Sequence, residues 1–196
     1  MNINIIKKAL KILFATIIAF PVYAQSTDVS TKDASTKIEA FSSRTGIVMI
    51  KGFQEVGSVS GTGTGRVTID AREYRNASNP KQAEYGVMFG VKESGKLERE
   101  NSSFVDADEI DALIQGIDYI SGITKSITPL SDFEVEYRTK GDFSIVVFSL
   151  NNGELGVAVA SGRVGKTNAY LKISDLARLK ELIRNAKKLI DKSKSK

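Results

Sequence analysis

The most pointed chemical spacing in the chain is Ala160-Ser161-Gly162-Arg163-Val164-Gly165-Lys166-Thr167. It satisfies the looser phosphate-loop pattern, with Ala in place of the first Gly. In such a loop, backbone amides cradle phosphates, the Lys reaches the terminal ones and the Thr holds magnesium. The strand-like run Gly156 to Ala160 fits that context, but the residues that follow do not. The loop must open a helix, whereas Asn168 to Ile173 reads as strand and the first helix signal comes at Ser174. The segment is therefore read as a Gly-rich hairpin. Gly61-Thr62-Gly63-Thr64-Gly65 lacks the full spacing of a dinucleotide loop and any helix behind it, so it too is read as a hairpin connection. Asp106, Asp108, Glu109 and Asp111 have the acid density of a calcium site. No Gly stands at the sixth position of a loop, and acids at a helix start are favoured by its dipole. Asn76-Ala77-Ser78 and Asn101-Ser102-Ser103 are glycosylation sequons on stretches expected to be exposed.

The missing residue types are as informative. There is no His, no Cys and no Trp. Ser/His/Asp and Cys/His arrangements are impossible, and the usual general base and commonest zinc ligand are gone. Ser-x-x-Lys, a nucleophile elbow and a glycosidase carboxylate pair have no recognisable context. Tyr74, Tyr85, Tyr119, Tyr137 and Tyr170 are read as sheet or core residues rather than a sugar-stacking platform. No catalytic residue, cofactor ligand or metal ligand is assigned.

The chain's ends set its expected compartment. Lys7, Lys8 and Lys11 precede the apolar run Ile12 to Phe20, then Pro21 and Val22-Tyr23-Ala24. That is the layout of a secretory signal peptide over 1–24, with an apolar core too short to span a bilayer. An exported, bacterial, periplasmic or secreted product starting near Gln25 is expected, with no membrane span in the mature chain. Without Cys it has neither disulfides nor a lipid-anchored cysteine. The net charge of +5 is carried by the ends: three Lys in the first 24 residues, and five from Lys187 onward against Asp191. The body from Gln25 to Ala186 is left at −2. It offers no strong field to a phosphate backbone, so nucleic acid is not the expected partner.

Residues 25–40 are poor in apolar side chains and read as a flexible lead segment. A single domain follows over 41–191, with a basic tail at 192–196. Within it the elements are strands over Gly46–Val59, Arg66–Arg75, Glu84–Lys92 and Lys96–Val105. In the second, Val67, Ile69 and Ala71 share one face. Asn76 to Lys81 reads as a turn cluster. Asp108 is placed as the N-cap of a helix carrying Ile110, Leu113, Ile114 and Ile117. After a connector over Ser121–Ser131 the order restarts with strands Phe133–Arg138, Phe143–Leu150, Glu154–Ser161 and Lys166–Ile173. Asn151-Asn152-Gly153 is a tight hairpin signal. Ser174 caps a helix carrying Leu176, Leu179, Ile183, Ala186 and Ile190.

Four strands and a helix therefore occur twice, over about 44–122 and 131–191. Glu84-Tyr85-Gly86-Val87-Met88-Phe89 matches Glu154-Leu155-Gly156-Val157-Ala158-Val159 at an offset of 70. Phe104-Val105 matches Tyr170-Leu171, and Asp108, Ile110, Leu113 and Ile117 match Ser174, Leu176, Leu179 and Ile183, at an offset of 66. The expected fold is α+β: two β-β-β-β-α repeats packed as one pseudo-twofold domain, with antiparallel sheets and two helices. Neither repeat covers its own apolar face, so the two must pack on each other.

In element order, over about residues 44 to 191, the doubled β-β-β-β-α unit resembles the Pur-alpha repeat and the related Whirly fold. That resemblance implies a duplicated sheet-and-helix domain and, by analogy, a single-stranded nucleic-acid binder; no sequence motif of those families is present and no site residue follows from it. The expected function is an exported, soluble, non-enzymatic binding or structural protein, with an extracytoplasmic protein, polymer or ligand as partner. The Lys-rich end from Lys187 reads as a solvated helix terminus, with contact with anionic lipid or envelope polymer as the alternative. A single-stranded nucleic-acid binder and a hydrolase using carboxylates or Ser/Lys are the alternatives. Leftover sheet edges invite a homodimer.

Overall fold

The computed structural model describes residues 35–63, 65–93 and 98–195. The expected signal peptide, residues 25–34 of the lead segment and Lys196 of the tail lie outside the described residues. The elements are α1 (Lys37–Ser42), β1 (Met49–Ser60), β2 (Arg66–Asn76), β3 (Asn79–Glu93), β4 (Arg99–Asp106), α2 (Ile110–Ser121), β5 (Glu134–Arg138), β6 (Ser144–Ser149), β7 (Leu155–Ser161), β8 (Thr167–Leu171) and α3 (Asp175–Lys194). A short 3-10 turn, Lys125–Ile127, sits in the connector. Two antiparallel four-stranded sheets form, in the orders β1-β2-β3-β4 and β5-β6-β7-β8. The α+β class and the doubled element order are as the sequence predicts.

The register carries the correspondence into detail. Val87 lies opposite Val105 in the first sheet and Val157 opposite Leu171 in the second. Those pairs are related by the 70 and 66 offsets read from the sequence. Ile69 faces Phe89 where Ile145 faces Val159. Ile110, Leu113, Ile117 and Ile120 are buried on α2, and at the same offset Leu176, Leu179, Ile183 and Ala186 are buried on α3.

Each helix leaves its own sheet uncovered. α3 lies across β1, β2 and β3, while α2 packs on β5 and on α3. The helices run antiparallel: Lys187 bonds Asp111 at 2.6 Å, and Lys180 bonds Asp118. The rings of Phe89 and Phe143 stack at 3.9 Å between centroids, tying the first repeat to the second. The buried hydroxyls of Ser103 and Ser161 meet at 2.8 Å. The apolar residues of both sheets and both long helices form one core.

The exchange is fitted by a reversal of bulk. A bulge at Val56 brings Gly57 opposite Ile69, the place Tyr137 holds opposite Ile145. A Cβ on Gly57, whose φ is +151°, would stand 2.9 Å from a Leu182 methyl of α3. In the other half the glycine is on the helix, where a Cβ on Gly116 would stand 2.4 Å from the Tyr137 ring. Gly116 and Leu182 are 66 residues apart, so they are equivalent positions. One half puts the large side chain on the helix and the other puts it on the strand.

Several expectations are corrected. The lead segment is not irregular to residue 40, because Lys37–Ser42 is a helix. Thr36 and Glu39 form a capping box, and Ile38 and Phe41 bury against Tyr74 with Met49 and Phe104 alongside. The polar run before Ile38 hid so short an apolar pair. Asp108 is not a side-chain cap: Glu109 occupies the N-cap position without a side-chain bond, and Asp108 turns to Lys37 at 2.7 Å. Ser174 does sit at the N-cap of α3, but makes no side-chain cap bond; Asp175 accepts from the Lys172 N–H instead, at 2.8 Å. The Asn76 to Lys81 cluster turns only at Ala77 and Ser78. β3 begins at Asn79, and Pro80 falls in a register break where its missing N–H costs no ladder bond. The basic tail is helical through Lys194. Among the described residues no helix is long and apolar enough to cross a membrane.

Candidate functional site

The inner face of β2 reads Val67, Ile69, Ala71, Glu73 along the strand, changing from apolar to small to acidic. β1 adds Gly52 opposite Glu73, with no side chain to fill the space. α3 continues over this end of the sheet after its last buried residue, Ile190. The loss of bulk below the helix opens a cleft of about 290 Å³. Its walls are Gly52 to Gln54, Ala71 to Glu73 and Tyr85 on the sheet side, and Leu189, Ile190, Lys192 and Ser193 on the helix side.

A second depression of about 300 Å³ adjoins the first. It is bounded by Ala83 and Glu84 of β3, Ala107 and Asp108 after β4, and Lys37 of α1. Tyr85 borders both, and Lys194, whose ammonium stands 5.7 Å from the Tyr85 ring centroid, borders the second. The two form one groove along the C-terminal end of α3, with an aromatic floor and a cation above it.

Charge within the groove is uneven. The Glu73 carboxylate accepts from the Ser193 hydroxyl at 3.0 Å and lies 3.5 Å from Arg75 Nε. Burial pushes the Tyr85 hydroxyl above its ordinary pKa, and the Glu73 charge adds to the rise, so it remains a neutral donor at physiological pH. Asp108 is held below the usual carboxylate range, chiefly by its hydrogen bond from Lys37. Among the described residues Lys192 and Lys188 have no ion-pair partner. Glu84, in the wall of the second depression, likewise has no ion-pair partner among the described residues, so unpaired charge of both signs borders the groove.

A second exposed surface is the outer face of the second sheet, where Val146, Ala158 and Tyr170 lie side by side. In the first sheet the equivalent face is partly covered by α1, whose Ile38 occupies the space above Gly86. Over the equivalent Gly156 it is the ring of Phe148 that folds down.

The motifs singled out in the sequence go elsewhere. Residues 160–167 end β7, turn, and start β8, so the segment is the Gly-rich hairpin expected. Its Arg163 pairs with Asp142 at 2.5 Å and also reaches Ser35. Gly61 to Gly65 connects β1 to β2 as a hairpin. The four clustered acids diverge. Asp106 accepts from the Lys37 and Ile38 N–H groups, Asp108 pairs with Lys37, Glu109 accepts from the Lys140 N–H and Asp111 pairs with Lys187. The sequons are not open: Asn76 is 8% exposed and bonded to Gln82, and Asn101 bonds the Gly165 carbonyl and Thr167. Tyr74, Tyr85, Tyr137 and Tyr170 lie on strands as expected, with Tyr74 buried and Tyr170 exposed, whereas Tyr119 is exposed on α2. The groove itself escaped sequence reading. Its one local signal was Glu73 breaking the Val-Ile-Ala alternation of β2.

No protein-family model matches the chain, and no curated protein matches it.

Proposed function

We propose that this chain is an exported, non-enzymatic binding protein, and that the groove under the end of α3 receives an extended anionic polymer of the envelope. The observation that carries this reading is the junction of two depressions at Tyr85 with Lys194 above its ring and unpaired Lys192 at the rim. A flat or apolar unit seats against Tyr85, and a negative group meets Lys192. Two adjoining depressions suit consecutive units of a chain better than one small molecule. The Tyr85 hydroxyl donates and Gln54 can donate or accept, which fits a hydroxyl-rich acidic oligosaccharide.

Calorimetric titration with acidic oligosaccharides tests the reading. Lys192→Glu is expected to weaken binding by about threefold to tenfold at low salt, since it replaces attraction by repulsion at the exposed rim of the groove. Tyr85→Ala should weaken it similarly, with the melting temperature of each variant as its folding control. Absence of binding, or binding indifferent to both substitutions, refutes the assignment. A salt-dependent shift of single-stranded oligonucleotides would replace it with the nucleic-acid alternative. Export is tested separately, by the mass of the chain recovered from the envelope fraction; an intact Met1 would overturn it.

A further inference from the structure

β1 is an edge strand. It pairs with β2 on one side, and its other edge meets no described strand. Half of its backbone N–H and C=O groups therefore point outward, as they do on any sheet edge. The strand is 12 residues long, and Phe53 and Ile50 along it are 71% and 45% exposed. Its charges are also unbalanced. Glu55 stands directly opposite Asp70 on β2, and that acid's own partner is Arg72, at 2.6 Å. Glu55 makes no ion pair among the described residues. Lys51, two positions before Phe53 on the same face, lies over the Tyr74 ring at 5.1 Å.

We propose that β1 is the interface of a homodimer, pairing antiparallel with β1 of a second copy about a twofold axis through Phe53. Lys51 of each copy then lies opposite Glu55 of the other, and the two Phe53 rings meet on the axis. A twofold interface must be self-complementary, and this stretch is. Moving the axis by one residue sets Lys51 against Phe53 and leaves Glu55 without a cation, so charge selects one register. The bulge after Glu55 bounds the pairing on that side, because the strand twists away there. Like charges directly opposite across a strand pair are unfavourable, and the second copy's Lys51 offsets the Glu55–Asp70 opposition.

Sedimentation equilibrium of the purified protein tests the proposal. The wild-type protein is expected to dimerise reversibly. Lys51→Glu and Glu55→Lys should each raise the dissociation constant at least about tenfold by opposing like charges, and the double exchange should return it to near the wild-type value. Because the chain has no Cys, Phe53→Cys supplies an orthogonal readout. Its thiols should cross-link on mild oxidation, since directly opposed residues have Cα atoms about 4.5–5.5 Å apart, within disulfide reach. Tyr119→Cys, on exposed α2 surface, should not. A monomer at all concentrations, single exchanges without effect, a double exchange that fails to recover, or cross-linking equal at both cysteines would each overturn the proposal. All four substituted positions are exposed, and an unchanged circular dichroism spectrum shows that a variant has folded.

Discussion

Replacing Gly116 by Ala should weaken this protein even though Ala is the better helix former. Two effects oppose each other. An interior helix Gly-to-Ala change ordinarily gains about 0.8–1.0 kcal/mol. Here the new methyl would stand 2.4, 2.7 and 2.8 Å from three atoms of the Tyr137 ring, closer than carbon atoms pack. Relieving such overlap typically costs about 1–3 kcal/mol. The steric effect wins or ties, and the net loss is from near zero to about 2 kcal/mol. With Tyr137→Val already present, the ring is gone and the same Gly116→Ala change should recover its ordinary gain. Urea unfolding of the four proteins, followed by far-ultraviolet circular dichroism, gives the coupling between the two sites, expected at about 1–3 kcal/mol. A coupling under about 0.5 kcal/mol would refute the reasoning, because independent sites add to within that margin. It would mean that α2 does not rest on β5, and the exchange of helices between repeats would fail with it.

Two further outcomes follow from α1. Asp106, 3% exposed, accepts from the Lys37 and Ile38 N–H groups at 2.8 and 3.2 Å. Asp106→Ala removes both bonds, so at about 1.5–3 kcal/mol for a hydrogen bond to a charged group it should release the helix; amide exchange over residues 37–42 should speed up while that of α3 is unchanged, and equal protection in both proteins would contradict the account. The Lys37–Asp108 pair makes the same docking sensitive to acid. Asp108 is depressed below its ordinary 3.8, so its contribution is complete above that value and is lost as pH falls through the lowered pKa. Asp108→Asn should abolish this part of the acid sensitivity, read from the exchange of the same amides, and a variant with the parent's pH profile would show the pair to be idle.

The parts of the fold that were legible in the sequence are those that local periodicity controls. Val67, Ile69 and Ala71 alternate because one face of β2 meets α3, and that pattern needs no knowledge of the partner. Ile110, Leu113 and Ile117, and their counterparts on α3, recur at helical spacing for the same reason. What could not be read is which sheet each helix covers, since an apolar stripe does not say what lies opposite. The groove inherits that difficulty: it joins residues 52–54, 71–73 and 85 to 189–193 only because α3 crosses to the first sheet. α1 was missed because its burial rests on two side chains, Ile38 and Phe41, in an otherwise polar stretch. The cap of α2 was misjudged because Asp108 pairs with Lys37, whereas Ser174 stands at the N-cap of α3 where it was expected, though without a side-chain cap bond.

The helix that crosses to the first sheet comes after all eight strands in the chain. A nascent chain that has reached Leu171 already contains all eight strands, yet Val67, Ile69, Val87 and Phe89 still lack the lid that seals them. The first sheet therefore has no finished resting state of its own and must stay loose until α3, Asp175–Lys194, is made.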